Sequence, residues 1–198
     1  HTLYGGRVDG PAYMTGTGGG AYGGTTTIAS VTDGTSNTAM FSEWVKGPFS
    51  TRTGKQMVYT ISATYTAPGT PAAAAGANGV ADAIRTLSAS CQASTTIGAQ
   101  TSKGFSWASQ GCGVGGCYSH VNTPNKLSCM FSNMNANYPA SSDYAAATLV
   151  GAASYHSGGV NVGFLDGSIK FVKDSISPMT WSAAATRSGG EVISADAL

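Results

Sequence analysis

HSGGVNVGFLDGSIKFV, residues 156–172, sets a histidine nine residues before an Asp-Gly pair in a chain with few ionisable groups. Two readings compete. As chemistry, His156 and Asp166 are an acid–base or metal-binding couple; as structure, Asp166 and Gly167 are the turn of a β-hairpin. A two-residue turn pairs Leu165 with Ser168, Phe164 with Ile169, Gly163 with Lys170 and Val162 with Phe171. Val160, Val162, Phe164, Ile169 and Phe171 then share one face, while Asn161, Gly163, Ser168 and Lys170 share the other. That is the pattern of an antiparallel sheet with one side on a core. A catalytic pair would also need a nucleophile and oxyanion donors, and the sequence holds no G-x-S-x-G or comparable serine setting. We therefore read Asp166 and Gly167 as the turn and His156 as an anchor for the start of the strand, its ring bonded to backbone or to a neighbouring carboxylate.

Upstream, IASVTDGTSNTAMFSEWV (28–45) carries turn residues at Asp33 and Gly34. An alternation follows, with Ala39, Phe41 and Glu43 on one side and Met40, Ser42 and Trp44 on the other. This reads as a loop feeding a strand. QMVYTISATYT (56–66) is rich in β-branched and aromatic residues and is expected to pair with it. VADAIRTLSASC (80–91) spaces Val80, Ile84, Leu87 and Cys91 as the apolar stripe of a short helix. Residues 92–153 read mainly as long loops. SPMTWSAAATRSGGEV (177–192) predicts a second short helix over about 180–186, stopped by Gly189 and Gly190, with Glu191–Ile193 as a final edge strand. Arg187 and Glu191 are placed to form a salt bridge or to cap that helix. Residues 1–27, rich in Gly, Thr and Tyr, read as an irregular start to a domain spanning 28–198.

Charged residues make up only 10% of the 198-residue chain, against roughly a quarter in ordinary soluble domains, so the surface is neutral and hydroxyl-rich. With a formal net charge of +1 and its basic residues scattered singly, the chain lacks the stripe that nucleic-acid binding requires. No apolar run approaches the length of a membrane span. Cys91, Cys112, Cys117 and Cys129 form an even set without a C-x-x-C pair, which favours disulfides over zinc, for which only His120 lies nearby. The preferred pairing is Cys112 with Cys117 and Cys91 with Cys129, among three arrangements that four cysteines allow. Disulfides and a neutral surface both point outside the cytosol.

Asp33, Thr35 and Asn37 alternate oxygen-bearing side chains and are the residues to consider for calcium. One carboxylate without the terminal Glu of an EF-hand loop is a poor set, so a turn or cap is the preferred reading and no metal or other cofactor is assigned. Trp44, Trp107, Tyr118, Tyr138 and Tyr144 include several in loop segments, where stacking on a glycan competes with ordinary packing.

Taken together, VTDGTSNTAMFSE (31–43), TPNKLSC (123–129), the hairpin motif and WSAAATRSGGEV (181–192) resemble the large prepilin-like family of planctomycete bacteria marked by a C-terminal His-x9-Asp-Gly signature. The resemblance implies a pilin-like α+β domain: an antiparallel sheet, one or two short helices and long disulfide-held loops. It also implies a leader and a long hydrophobic helix upstream of His1, through which alone the protein would contact a membrane, as pilins and type II secretion pseudopilins do. Calcium sites in pseudopilin C-terminal loops belong to the same implication. Ser157 stands where the family usually has Pro, and the Cys112–Cys117 loop looks like an insertion. The expected function is a non-enzymatic structural subunit of an extracellular or cell-surface filament or pseudopilus, with itself or similar subunits as partners. The alternative is a secreted polysaccharide-binding module; a metal-dependent or His/Asp hydrolase ranks last.

Overall fold

Short apolar runs separated by long polar and glycine-rich stretches give short strands, and those strands set the architecture. The structure is a computed structural model, described here for residues 2–3, 7–8, 10–12, 26–48, 50, 53–62, 86–98, 103–105, 118–131, 148–194 and 198. A ribbon pairs β1 (Thr2–Leu3) with β2 (Arg7–Val8). An antiparallel sheet has the order β3 (Ala39–Ser42), β7 (Gly159–Phe164), β8 (Ile169–Lys173). Another has the order β4 (Val58–Ile61), β5 (Ser128–Phe131), β6 (Thr148–Leu149), with β4 and β5 parallel. Helix α1 runs over residues 86–92 and α2 over Pro178–Ala183. The expected α+β class is what these elements form.

The β7–β8 hairpin is present, but its register is one residue from the expected one. Val160 faces Val172, Val162 faces Lys170 and Gly163 faces Ile169. The Phe164 amide donates to Ser168 O and the Gly167 amide to Phe164 O, so the loop holds three residues, Leu165–Gly167, with Gly167 left-handed at φ 87°. A two-residue turn would need positive φ at Asp166 as well. Instead the Asp166 carboxylate takes the Ser168 amide (2.9 Å) and hydroxyl (2.6 Å), which fixes the three-residue form. A slip of one residue exchanges the faces of a strand. Val172 therefore joins Val160, Val162 and Phe164 in the core, while Ile169 (74% exposed) and Phe171 (47%) turn outward.

The expected pairing of QMVYTISATYT with β3 is not observed; β4 pairs with β5. The burial patterns give the reason. Val58, Tyr59 and Ile61 of β4 are all buried, as are all four residues of β5, so these strands need cover on both faces. In β3, Ala39 is buried and Phe41 is 67% exposed, which suits a one-sided sheet. A register shift between Ala39 and Phe41 also interrupts the simple alternation. β5 and β6 lie inside the stretch read as loops, and Glu191–Ile193 has no strand pairing.

Two apolar clusters result. Tyr59, Ile61, Phe131 and Leu149 of the β4–β5–β6 sheet, with Met57 just before β4, pack with Leu87 and Cys91 of α1. The Cys91–Cys129 disulfide ties that helix to β5; the thiols are therefore bonded to each other, and zinc is excluded at this pair. Val160, Val162, Phe164 and Val172 pack with Ala39, Ala152 and Trp181. Helix α2 starts at Ser177, whose hydroxyl accepts from the Thr180 amide (3.1 Å) ahead of Pro178. That start carries Trp181 into the second cluster, where its indole N–H donates to Asn122 O (2.8 Å). Asn122 in turn donates through Nδ2 to Leu127 O (3.0 Å) beside Cys91, linking the clusters. Val80, Ile84, Cys112, Cys117, Trp107, Tyr138 and Tyr144 lie outside the described residues.

Candidate functional site

Three of the sequence motifs meet at one junction. Gly34 (φ 92°) turns the 31–38 loop so that the Asp33 carboxylate points at the C-terminal tail. It accepts from the Gly189 amide (2.7 Å), the Gly190 amide (2.9 Å) and lies 3.0 Å from the Thr186 hydroxyl. The Thr32 and Asp33 amides donate to Arg187 O, and the Thr38 hydroxyl lies within reach of both Gly34 O and Thr186 O. On its other side the same loop holds the hairpin turn: Leu165 N donates to Thr38 O and Asp166 N to Thr35 O. Asn37 closes the loop on itself, Nδ2 to Asp33 O (3.2 Å). Thr35 contributes its carbonyl here. DGTSNT is thus a clasp between the hairpin and the tail, built from peptide groups around one carboxylate.

Arg187 reaches Gly10 O with Nη1 (2.7 Å), tying the tail to the N-terminal segment. The Glu191 carboxylate lies 3.3 Å from the Thr186 hydroxyl just past α2.

His156 and Asp166 are not partners. They flank β7, whose six residues separate them by roughly 20 Å at about 3.4 Å per residue. Asp166 is fully exposed in the turn, and the Ser168 hydroxyl and amide hold its carboxyl below the usual carboxylate range. The His156 side chain is 55% exposed, with Nε2 3.4 Å from Glu43 Oε2 and its ring edge-on to Phe171. Glu43 Oε1 accepts from the Asn161 amide (2.7 Å) and side-chain Nδ2 (3.2 Å). The His156 amide donates to Ser154 Oγ, which itself donates to Gly159 O. The histidine therefore sits where β3, β7 and β8 come together.

Two buried ionisable groups had no legible role in the sequence. His120 stacks on Trp181 at 3.7 Å, and its Nδ1 lies 2.7 Å from Trp181 O. A carbonyl only accepts, so Nδ1 carries the proton and Nε2 accepts from the Tyr118 hydroxyl (3.1 Å). Burial lowers the imidazole pKa to about 3 and pushes the Tyr118 phenol up. Lys103 is completely buried and donates to Lys55 O (2.7 Å) and Ser128 Oγ (3.3 Å). Desolvation brings its pKa down to about 8. Its ammonium lies 5.9 Å from the Trp44 ring centre.

A cavity of about 50 Å³ opens between Pro11, Met40, Tyr118 and Ala185, well below the few hundred Å³ of a small-molecule site. Among the described residues no three His, Cys, Asp or Glu side chains converge as a metal group. Of the aromatics considered for glycan stacking, Trp44 is half-buried beside Lys103 and Tyr118 is bonded to His120. The outward aromatic rings of the β3–β7–β8 sheet belong instead to Phe41 and Phe171.

No curated protein and no solved structure matches the chain. No helix among the described residues is long and apolar enough to cross a membrane, and the disulfide is compatible with an exported protein. Residues 4–179, which contain the Asp33 loop, the disulfide and the hairpin, match the family described as Protein of unknown function (DUF1559), and the chain belongs to that family.

Proposed function

We propose that the protein is a non-enzymatic, exported, pilin-like structural subunit that works at the cell surface by associating with copies of itself or with similar subunits. The observation that carries this reading is the outer face of the β3–β7–β8 sheet. It presents Phe41, Ile169 and Phe171 to solvent, 67%, 74% and 47% exposed, in a chain otherwise short of surface charge. An apolar set of this kind on a sheet face is the feature of a protein that is covered in use. The motif residues supply a second support: Asp33 through both carboxylate oxygens, and Asp166 and Glu43 through one each, accept from nearby amides or hydroxyls of the fold. Negative-stain electron microscopy of the full chain tests the reading. Ordered assemblies are expected; uniform single particles, with retention on a polysaccharide affinity gel, would replace it with the glycan-binding alternative.

A further inference from the structure

We infer that the folded chain cuts itself once, at the peptide bond between Leu127 and Ser128, by an N-to-O acyl shift onto the Ser128 hydroxyl and hydrolysis of the resulting ester. The groups that such a shift needs converge on this one peptide from separate parts of the chain. The nucleophile is the Ser128 hydroxyl, which opens β5 and is fully buried; chain connectivity lets it close a five-membered ring on the carbonyl carbon before it. The base is Lys103, also fully buried, whose Nζ lies 3.3 Å from Ser128 Oγ. Nζ donates to Lys55 O (2.7 Å), which leaves the lone pair of the neutral amine to take the Ser128 proton. The Gly151 amide, 3.3 Å from the same Oγ, helps to hold the hydroxyl in place. Burial brings the Lys103 pKa to about 8, in the range where an amine serves as a general base. The remaining groups face the Leu127 carbonyl oxygen: Asn122 Nδ2 (3.0 Å) and Gln92 Nε2 (3.3 Å) both donate to it, two amide donors where negative charge develops during attack. Burial closes Ser128 and Lys103 to an outside substrate and suits a reaction on the chain's own backbone.

As the Oγ–C bond forms, the Ser128 proton passes to Lys103 Nζ and the Leu127 oxygen takes the charge between Asn122 and Gln92. Collapse breaks the C–N bond, and Lys103 returns the proton to the departing Ser128 nitrogen. One water molecule then adds to the ester, releasing Leu127 as a carboxylate and restoring the Ser128 hydroxyl. Asn122 Oδ1 is buried without a hydrogen-bond partner among the described residues, an acceptor for that water on the same side chain that holds the carbonyl. Gln92, Lys103, Asn122 and Ser128 meet only after folding, so the cut follows folding. Its two pieces stay joined by the Cys91–Cys129 disulfide and the β4–β5 ladder. The event occurs once per chain, without turnover, and sits alongside a structural role.

The purified full chain, incubated at about pH 8.5, then denatured, reduced and weighed by mass spectrometry, tests this. Two fragments are expected, residues 1–127 and 128–198, the second beginning Ser-Cys-Met-Phe; without reductant the protein should remain one species, heavier by one water. Hydroxylamine, which attacks esters far faster than amides, should speed the break. The rate should rise about tenfold per pH unit below pH 8 and level off above it, as Lys103 loses its proton. Ser128→Ala should abolish the cut. Gln92→Glu keeps an acceptor for the Leu127 amide, which Gln92 Oε1 meets at 3.0 Å, but replaces the carbonyl's donor with a carboxylate; it should cut about tenfold or more slowly with an unchanged melting temperature. A wild-type chain that stays uncut on prolonged incubation with hydroxylamine would overturn the inference, as would cleavage at another bond, or fragments from Ser128→Ala or Gln92→Glu at the wild-type rate.

Discussion

Lys103 gives the most quantitative test of the core. Its amine is fully buried against a carbonyl, a hydroxyl and an indole ring, none carrying a negative charge. Desolvation lowers its pKa from 10.5 to about 8. Between those values the unfolded chain holds the proton and the folded chain has lost it. The unfolded state therefore binds more protons, and stability rises with pH across that window. At about 1.4 kcal/mol per pH unit, the cost of burying the charge is on the order of 3 kcal/mol, present in full below pH 8 and gone above pH 10.5. Lys103→Met removes that cost, but it also leaves Lys55 O and Ser128 Oγ without their donor, at about 1–3 kcal/mol each. The net change at neutral pH is small, so the informative quantity is the pH dependence of the difference. Urea unfolding followed by tryptophan fluorescence, with the disulfide intact, should show wild type gaining about 2–3 kcal/mol on the variant from pH 7.5 to 10. Curves for the two proteins that run parallel across that range would refute the buried-ammonium account.

Three further outcomes follow from the described contacts. Asp33→Ala frees the Gly189 and Gly190 amides from a charged acceptor and should cost about 3 kcal/mol by chemical denaturation; a calcium-induced rise in wild-type melting temperature that the variant lacks would instead make Asp33 a ligand. Gly167 holds φ 87° with open space around an added Cβ, so Gly167→Ala should lose about 1–2 kcal/mol from conformation alone, and Gly167→Asn should recover part of it. Replacing Cys91 and Cys129 together by Ala opens a crosslink 38 residues apart in sequence and should cost about 4 kcal/mol, read as a lower denaturant midpoint.

The sequence showed the fold best where one local signal stood without a competitor. Leu87 and Cys91 fell on the buried side of α1 as the spacing required; α2, expected over about 180–186, is present but runs over Pro178–Ala183, because the Ser177 cap and Pro178 start it two residues earlier. At Asp166-Gly167 two signals competed. Ser168 offers a hydroxyl and an amide to the Asp166 carboxylate, and that capture decides between a two-residue and a three-residue loop. Overlooking it placed Ile169 and Phe171 in the core and hid the apolar outer face. β5 escaped notice because SCMF is buried on both sides and has no alternation to read. The clasp was half legible. Asp33 and the Gly189-Gly190 pair each stood out, but the contact between them spans more than 150 positions and follows from how the hairpin folds back. The environments of His120 and Lys103 depend on residues 61 and 25 positions away respectively, and neither segment advertises a buried charge.

Sedimentation equilibrium of the full wild-type chain, from micromolar to near-millimolar concentration, tests the central claim most directly. Mass should rise with concentration from monomer to dimer or beyond; a constant monomer mass throughout would contradict the reading of the outer sheet face as a surface built for assembly.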